Sequence, residues 1–347
     1  MRIAYWTTSC LQPEIEAVSK EVFQLAEHFP NSLLFGISPH YALCASLKGR
    51  YVGFHPRFDP VLRVIIPYIE RHYDISHVYG EATPWTFYKT LRRKPIVLTV
   101  ASEKGSPRPD FLDRCRKVLV QTNSFYQKLR ALGVEKNKLE LLYPGVDLPR
   151  YRPRSDARQQ RGTPKILFAS APRSEEEMKN RGVYLLLEAA KASRQVQYHL
   201  LYREWNSGHT SLPATRRWLE SCPLENVTLT NSVVAEMHHL YGDYDFTIIP
   251  YTTAAGGKEC PMSALEGLAC GLPTLISSLA PFAEFVAQHK CGVVFDPTPS
   301  SLVAAVETGM CQYRKLSTNA VNVAQRYFSS QRLLERMTQI YEEILSR

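Results

Sequence analysis

The chain has 347 residues, too many for one ordinary hydrophobic core, so two domains of about 150 residues are expected. Its 44% apolar and 22% charged residues are the balance of a globular protein, and no run of about 18 apolar residues is present to span a bilayer. The net charge of +9 is unevenly placed: residues 1–161 hold 25 Lys+Arg against 15 Asp+Glu, and residues 162–347 hold 17 against 18. A basic N-terminal half suits peripheral contact with an anionic membrane or an anionic acceptor about as well as it suits a solvated surface. No nucleic-acid module accompanies the charge, so nucleic acid is not an expected partner. The eight cysteines are scattered with no C-x-x-C pair, which argues against a zinc site or a disulfide framework and for a reducing cytosol. The opening MRIAYWTTSC is too short, and too polar after Trp6, for a signal peptide; it reads as a first core strand.

Strand and helix patterns alternate along the chain. A strand over 3–6 precedes a helix over 14–28, whose Val18, Val22, Leu25, Ala26 and Phe29 share a face. A short strand follows at 32–36, then an aromatic-rich stretch over 37–73 that reads as irregular. Strands resume at 76–79, 96–100, 117–121 and 139–143, with Thr122 or Asn123 as an N-cap. The stretch 143–164 is rich in Pro, Arg and Gly, lacks periodicity, and reads as an interdomain linker. Beyond it, apolar runs at 165–169, 197–202, 227–230, 246–250, 274–277 and 293–295 suit buried parallel strands. Helices are expected at 183–192, 233–241, 261–270 and 281–288, and a last one carries Leu333, Met337, Tyr341, Ile344 and Leu345 as its apolar stripe. The pattern predicts an α/β protein of two doubly wound domains, with ligand at the carboxyl ends of the strands. No G-x-G-x-x-G follows the first strand and no G-x-x-x-x-G-K-[ST] occurs, so neither a dinucleotide oxidoreductase nor a P-loop enzyme is supported.

The stretch KECPMSALEGLACGLP, residues 258–273, concentrates the chemistry. Pro261 suits a first helical turn, Met262, Leu265, Leu268 and Ala269 recur at helical spacing, and Gly271 and Pro273 end the run. A core-packed helix explains those positions. It does not explain Lys258, Glu259 and Glu266, whose charges gather at a helix N-terminus, a natural anion site. The ten histidines show no metal-ligand spacing, and His238-His239 reads as part of a surface helix, so no metal is expected.

Three blocks carry a resemblance: TNSFYQKLRALGVEKNKLELLYPGVDLPRYRP, ENVTLTNSVVAEMHHLYGDYDFTIIPY and GGKECPMSALEGLACGLPTLIS. Together they resemble the GT-B glycosyltransferases of family 4, retaining enzymes that take a sugar from a nucleotide-sugar donor. The resemblance implies two Rossmann-like domains facing across a cleft: residues 1–150 on the acceptor side, a linker over 151–163, a donor-binding domain over 164–330, and a C-terminal helix over 331–347. Glu266 matches the second glutamate of the family's Glu-seven-Glu pattern and would accept hydrogen bonds from the donor ribose. The first glutamate falls on Lys258, with Glu259 one place late. Either Glu259 reaches the sugar hydroxyls, the favoured reading, or Lys258 puts a cation near the phosphates. Gly256 and Gly257 would let the backbone approach the sugar, and Cys260, Pro261 and Met262 complete the donor loop.

The resemblance also implies phosphate-binding cations in place of a metal. Arg181 takes the family's lysine position, and Arg173 lies two residues past the family's arginine position at Ala171. Both could instead pair with Glu175, Glu176 and Glu177. In the N-terminal half the family's Gly-Gly is replaced by Glu16 and Ala17, and no histidine follows the strand at 96–100. Glu16, Ser102 and Glu103 are the acceptor-side candidates. No cofactor is implied beyond the nucleotide-sugar co-substrate, and the acceptor would be a sugar, a glycan or a lipid-linked molecule. Localisation would be cytoplasmic, with the inner membrane face as a place of contact. The competing readings are a non-catalytic nucleotide-sugar-binding protein and a GT-B sugar epimerase.

Overall fold

The computed structural model describes residues 1–10, 12–37, 46–47, 51–55, 58–81, 89–102, 108–153, 162–170, 172–203 and 208–346. They form two compact units, one of Met1–Gly145 with Gln331–Arg347 and one of Val146–Ser330.

Unit 1 is built on an eight-stranded sheet. Its strands are β1 (Ile3–Cys10), β2 (Leu33–Ile37), β3 (Ser46–Leu47), β4 (Tyr51–Phe54), β5 (Ile75–Glu81), β6 (Ile96–Ser102), β7 (Cys115–Val120) and β8 (Leu139–Leu141). They lie in the order β3-β4-β2-β1-β5-β6-β7-β8, all parallel except the two-residue β3. Runs such as IVLTV are apolar at successive positions because helices cover both faces of a parallel sheet. Its helices are α1 (Ala17–His28), α2 (Asp59–Glu70), α3 (Pro109–Leu112) and α4 (Asn123–Ala131), and Thr122 caps α4 by accepting from the Phe125 N–H at 3.4 Å.

The stretch read as irregular, 37–73, therefore contains two strands and the 12-residue α2. It hides from a periodicity argument because the apolar arc of α2 is wide, taking in Val61, Val64 and Ile65 as well as Leu62 and Ile66, and because the helix carries Pro67 in its interior. The chain's last helix, Ser330–Leu345, joins unit 1 through Leu333, Met337, Ile340 and Tyr341. Leu345, expected on the buried stripe, is exposed. Where that helix docks, fully buried His77 bonds the Tyr341 hydroxyl at 2.5 Å and the Thr99 hydroxyl at 2.7 Å. Tyr341 in turn donates to Tyr5 at 3.2 Å.

Unit 2 carries strands β9 (Lys165–Ala169), β10 (Gln197–Tyr202), β11 (Val227–Asn231), β12 (Phe246–Ile249), β13 (Thr274–Ser277) and β14 (Gly292–Phe295). All are parallel, in the order β11-β10-β9-β12-β13-β14. Numbered within the unit this is 3-2-1-4-5-6, the Rossmann order, whose switch point lies between β9 and β12. Around it run α5 (Glu175–Asn180), α6 (Val183–Ala192), α7 (Ser211–Ser221), α8 (Met237–Tyr241), α9 (Met262–Ala269), α10 (Ala283–His289), α11 (Pro299–Cys311) and α12 (Tyr313–Tyr327). The chain enters and leaves this unit side by side: the Val146 N–H donates to the Phe328 carbonyl at 2.7 Å and the Ser330 N–H to the Val146 carbonyl at 3.0 Å.

Candidate functional site

At the switch point of unit 2, two loops leave the carboxyl ends of β9 and β12. The first leads through Ser170 and Arg173 into α5, capped by Ser174, whose hydroxyl accepts from the Glu177 N–H at 3.2 Å. Arg173, Glu177 and Arg181 stand at successive intervals of four residues, so α5 and its flanks bring all three to one side. Arg173 donates to Glu177 Oε1 through Nη2 at 2.7 Å and Nε at 3.1 Å. Arg181 reaches Glu177 Oε2 at 3.1 Å through Nη2 and the Ser170 hydroxyl at 2.9 Å through Nη1. Burial pushes the Glu177 carboxyl up, but the Arg173 hydrogen bonds and the Arg181 charge outweigh it and hold it down at about 2. Arg181 Nε is buried and has no hydrogen-bond partner among the described residues. Of the five guanidinium N–H donors, the one on Nε is thus enclosed and unmatched by protein acceptors among the described residues.

Gly182 brings this turn to the end of β12. Its φ is +75° and a Cβ there would lie 1.8 Å from the Pro250 carbonyl oxygen, so only glycine permits the approach. The second loop is tied to the same turn, with the Thr252 N–H donating to the Asn180 carbonyl at 2.9 Å and its hydroxyl to the Lys179 carbonyl at 2.7 Å. Buried Tyr251 forms the floor of the loop. Burial raises its hydroxyl pKa, opposed by the nearby Arg181 charge and a hydrogen bond with the Lys258 backbone. A Cβ on Gly257 would lie 2.3 Å from the Tyr251 hydroxyl, and one on Gly256 would lie 2.7 Å from the ring and from the Asn180 carbonyl. Close approach over Tyr251 therefore requires both glycines, whether or not a ligand does.

Farther along the loop, half-buried Lys258 turns back and donates to the Cys260 carbonyl at 2.8 Å. Glu259 is 0% exposed, and Cys260 beside it is equally buried. Pro261 is the N-cap of α9 and supplies no side-chain cap, so the amides of the first turn, at Met262, are not claimed by it. Glu266, 5% exposed, sits one turn into α9, and the Tyr241 hydroxyl donates to its Oε2 at 3.0 Å. Burial, and then the Glu266 charge, hold Tyr241 protonated far above the ordinary tyrosine range. That fixes the direction of the hydrogen bond and of the carboxylate.

The structure thus assembles Arg173, Arg181, Tyr251 and Lys258 around the two loops, with Glu266 one turn into α9. Glu16 belongs to unit 1 and is the N-cap of α1, accepting from the Ser19 N–H at 2.7 Å; Ser102 ends β6 half-buried. Ala171 and Glu103 lie outside the described residues. The histidines, which show no ligand spacing in the sequence, do meet in space. Glu236, His238 and His239 bring one ligand atom each within 4.8 Å of one another. Arg150 borders the same group, pairing with Glu236 at 3.0 Å and donating to His238 at 3.3 Å.

Sequence reasoning missed Tyr241, Tyr251, Ser170 and Arg203. Arg203 follows β10 at the same end of the sheet, and its buried Nε has no hydrogen-bond partner among the described residues. The Arg173–Glu177–Arg181 spacing was a usable signal. Nothing in the sequence ties Tyr241 to Glu266, 25 residues away.

Residues 163–310 match the family model described as glycosyl transferases group 1. Solved structures with this fold include a sucrose-phosphate synthase from Thermosynechococcus elongatus, 16% identical, covering 99% of both chains with a TM-score of 0.78. HepE from Anabaena in complex with UDP is 14% identical, covers 99% of this chain and 100% of its own, and has a TM-score of 0.75; it is also solved with UDP-glucose. WaaG, a glycosyltransferase involved in lipopolysaccharide biosynthesis, is 14% identical, covers 97% and 99%, and has a TM-score of 0.68. No curated protein sequence matches the chain. The chain has the GT-B fold. No helix among the described residues is long and apolar enough to cross a membrane.

Proposed function

We propose that the protein is a retaining glycosyltransferase of family 4 type, binding a nucleotide sugar on unit 2 and passing its sugar to a sugar, glycan or lipid-linked acceptor. The observation that carries this reading is that the Arg181 turn after β9 and the buried, carboxylate-bearing α9 after β12 both open at the Rossmann switch point, inside the segment that matches the family. Glu266, aimed by Tyr241, accepts from the donor ribose. Arg181 and the first-turn amides of α9 stabilise the diphosphate as it leaves. A leaving diphosphate stabilised this way needs no metal, and its own oxygen can take the acceptor proton on the face the sugar departs from, which gives retention without a separate base. HepE with UDP-glucose makes a uridine donor the first to try.

At the first position of the family's pattern, where the sequence favours Glu259, burial favours Lys258. Glu259 is fully enclosed, whereas half-buried Lys258 can exchange its Cys260 carbonyl for a phosphate oxygen. The free, buried thiols of Cys115 and Cys291 support a reducing, cytoplasmic setting.

The test is thermal stabilisation by UDP-, GDP-, ADP- and dTDP-sugars and their diphosphates, with and without chelator, followed by the anomeric configuration of the product. Stabilisation by at least one nucleotide, unchanged by chelator, is expected. No stabilisation by any of them overturns the donor reading, and binding restored only by manganese overturns the metal-independent diphosphate site. Donor binding without transfer or hydrolysis would make the protein a binder.

A further inference from the structure

The segment that sequence periodicity missed presents an apolar face to water. Helix α2 buries Leu62 and Ile66 in the core of unit 1. On its other side Val61, Val64, Ile65 and Tyr68 are 47%, 66%, 40% and 59% exposed. At spacings of three, one and three residues these four form a single stripe. They are four of the nine large apolar side chains exposed among the described residues. Concentration of this kind on one helix marks an interaction surface, where scattered exposed residues do not.

Basic side chains rim the carboxyl end of the stripe. Arg71 follows the helix and lies over the Tyr68 ring at 5.2 Å. Buried Glu70 accepts from the backbone N–H groups of Arg92 and Arg93 at 3.0 and 3.3 Å. That anchors the 92–94 basic loop to the end of α2 and leaves the Arg92 and Arg93 side chains exposed, with Lys89 exposed beside them. Unit 1 as a whole holds 23 Lys+Arg against 16 Asp+Glu.

We propose that this face docks on an anionic phospholipid bilayer, with Val61, Val64, Ile65 and Tyr68 entering the headgroup boundary and Arg71, Arg92 and Arg93 pairing with lipid phosphates. A short helix with an apolar stripe and a cationic rim is what the bilayer interface takes up. Four side chains expose far less than the ~800 Å² per partner that a stable protein dimer buries, so a second copy is the weaker occupant. The proposal does not depend on the donor reading, since lipid binding is measured without a nucleotide.

The experiment is co-sedimentation of the full chain with vesicles of neutral phosphatidylcholine and of phosphatidylcholine mixed with phosphatidylglycerol, at low and high salt. Binding to the anionic vesicles that weakens with salt is expected. Because the residues are exposed, Val64→Ser with Ile65→Ser should leave the melting temperature unchanged and weaken anionic-vesicle binding at least tenfold. Arg92→Gln with Arg93→Gln, which keeps the backbone bonds to Glu70, should weaken it about 30-fold, from roughly 1 kcal/mol per basic residue at an anionic surface. Equal binding to both vesicle types, no binding to either, or anionic binding indifferent to the α2 pair would overturn the proposal. So would a solution dimer that the same pair dissolves.

Discussion

Unit 1 and unit 2 hold their inward-facing carboxylates differently. In unit 1, Glu21 accepts from the Tyr79 hydroxyl at 2.7 Å and the Gln121 amide at 2.8 Å. Glu70 accepts from Ser76 and from two backbone amides. These donors are neutral and belong to neighbouring strands and loops, so the bonds hold the scaffold in register. In unit 2, Glu177 is held by two arginines at the carboxyl end of the sheet. An incoming diphosphate can compete for those guanidinium groups, because it offers the same bidentate oxygen geometry as the carboxylate. An acid enclosed between strands and held by neutral donors reads as architecture, whereas half-buried Glu177, tied by cations at a switch point, reads as a place where partners exchange; Glu266 has a neutral donor too and differs from Glu21 by its place on α9 at the switch point.

The comparison is broken most directly at Glu266. Glu266→Ala should weaken nucleotide and donor binding ten- to a hundredfold by calorimetry, the loss of a charge-assisted hydrogen bond worth roughly 1.5–3 kcal/mol. Tyr241→Phe removes only the neutral donor that aims the carboxylate, and should cost about fivefold. Replacement of a unit 1 acid, Glu21→Gln, should lower the melting temperature and leave nucleotide affinity of the folded protein unchanged. If Glu21→Gln weakens the nucleotide as much as Glu266→Ala does, the division between the units fails.

How far the sequence foretold this follows from the same division. The strands were legible because a parallel sheet covered on both faces needs unbroken apolar runs, and β9, β10 and β13 fall at the positions those runs predict. Helix α9 was legible from Pro261 and its apolar spacing. Helix α2 was not, because its apolar arc runs past its buried side onto its exposed one. Gly256 and Gly257 were read as making room for a sugar, whereas the Tyr251 ring beneath them already demands glycine. Pairings across the fold, Tyr241 with Glu266 and His77 with Tyr341, had no local signature at all.

His77 sharpens the unit 1 side of the contrast. Burial among Tyr5, Tyr79 and Tyr341 drives its imidazole down to about 3, so it is neutral in the folded protein at all moderate pH. The unfolded chain takes up that proton near pH 6.5. Stability from this site is complete above pH 6.5 and declines as pH falls towards 3, by up to about tenfold in the folding constant per pH unit. Urea titrations of wild type and His77→Gln across pH 7 to 4 should show a limb shallower by up to one proton in the variant. Equal slopes would mean that the buried imidazole does not set the acid sensitivity of unit 1.

The smallest effect separates the two arginines that share Glu177. Arg173 is the more exposed, at 52% against 19% for the Arg181 side chain, and an exposed ion pair contributes at most about 1 kcal/mol. Arg181 also holds Ser170 and keeps a buried Nε donor. Arg181→Ala should therefore weaken a nucleoside diphosphate about tenfold, as loss of one charge-assisted bond implies, and Arg173→Ala less than about threefold. The nucleoside without phosphates should bind both variants as it binds wild type, since neither arginine is assigned to the ribose or base. Should Arg173→Ala prove the costlier change, the diphosphate is held at the open end of the α5 turn, and Arg181 serves mainly to keep Ser170 and Glu177 in place.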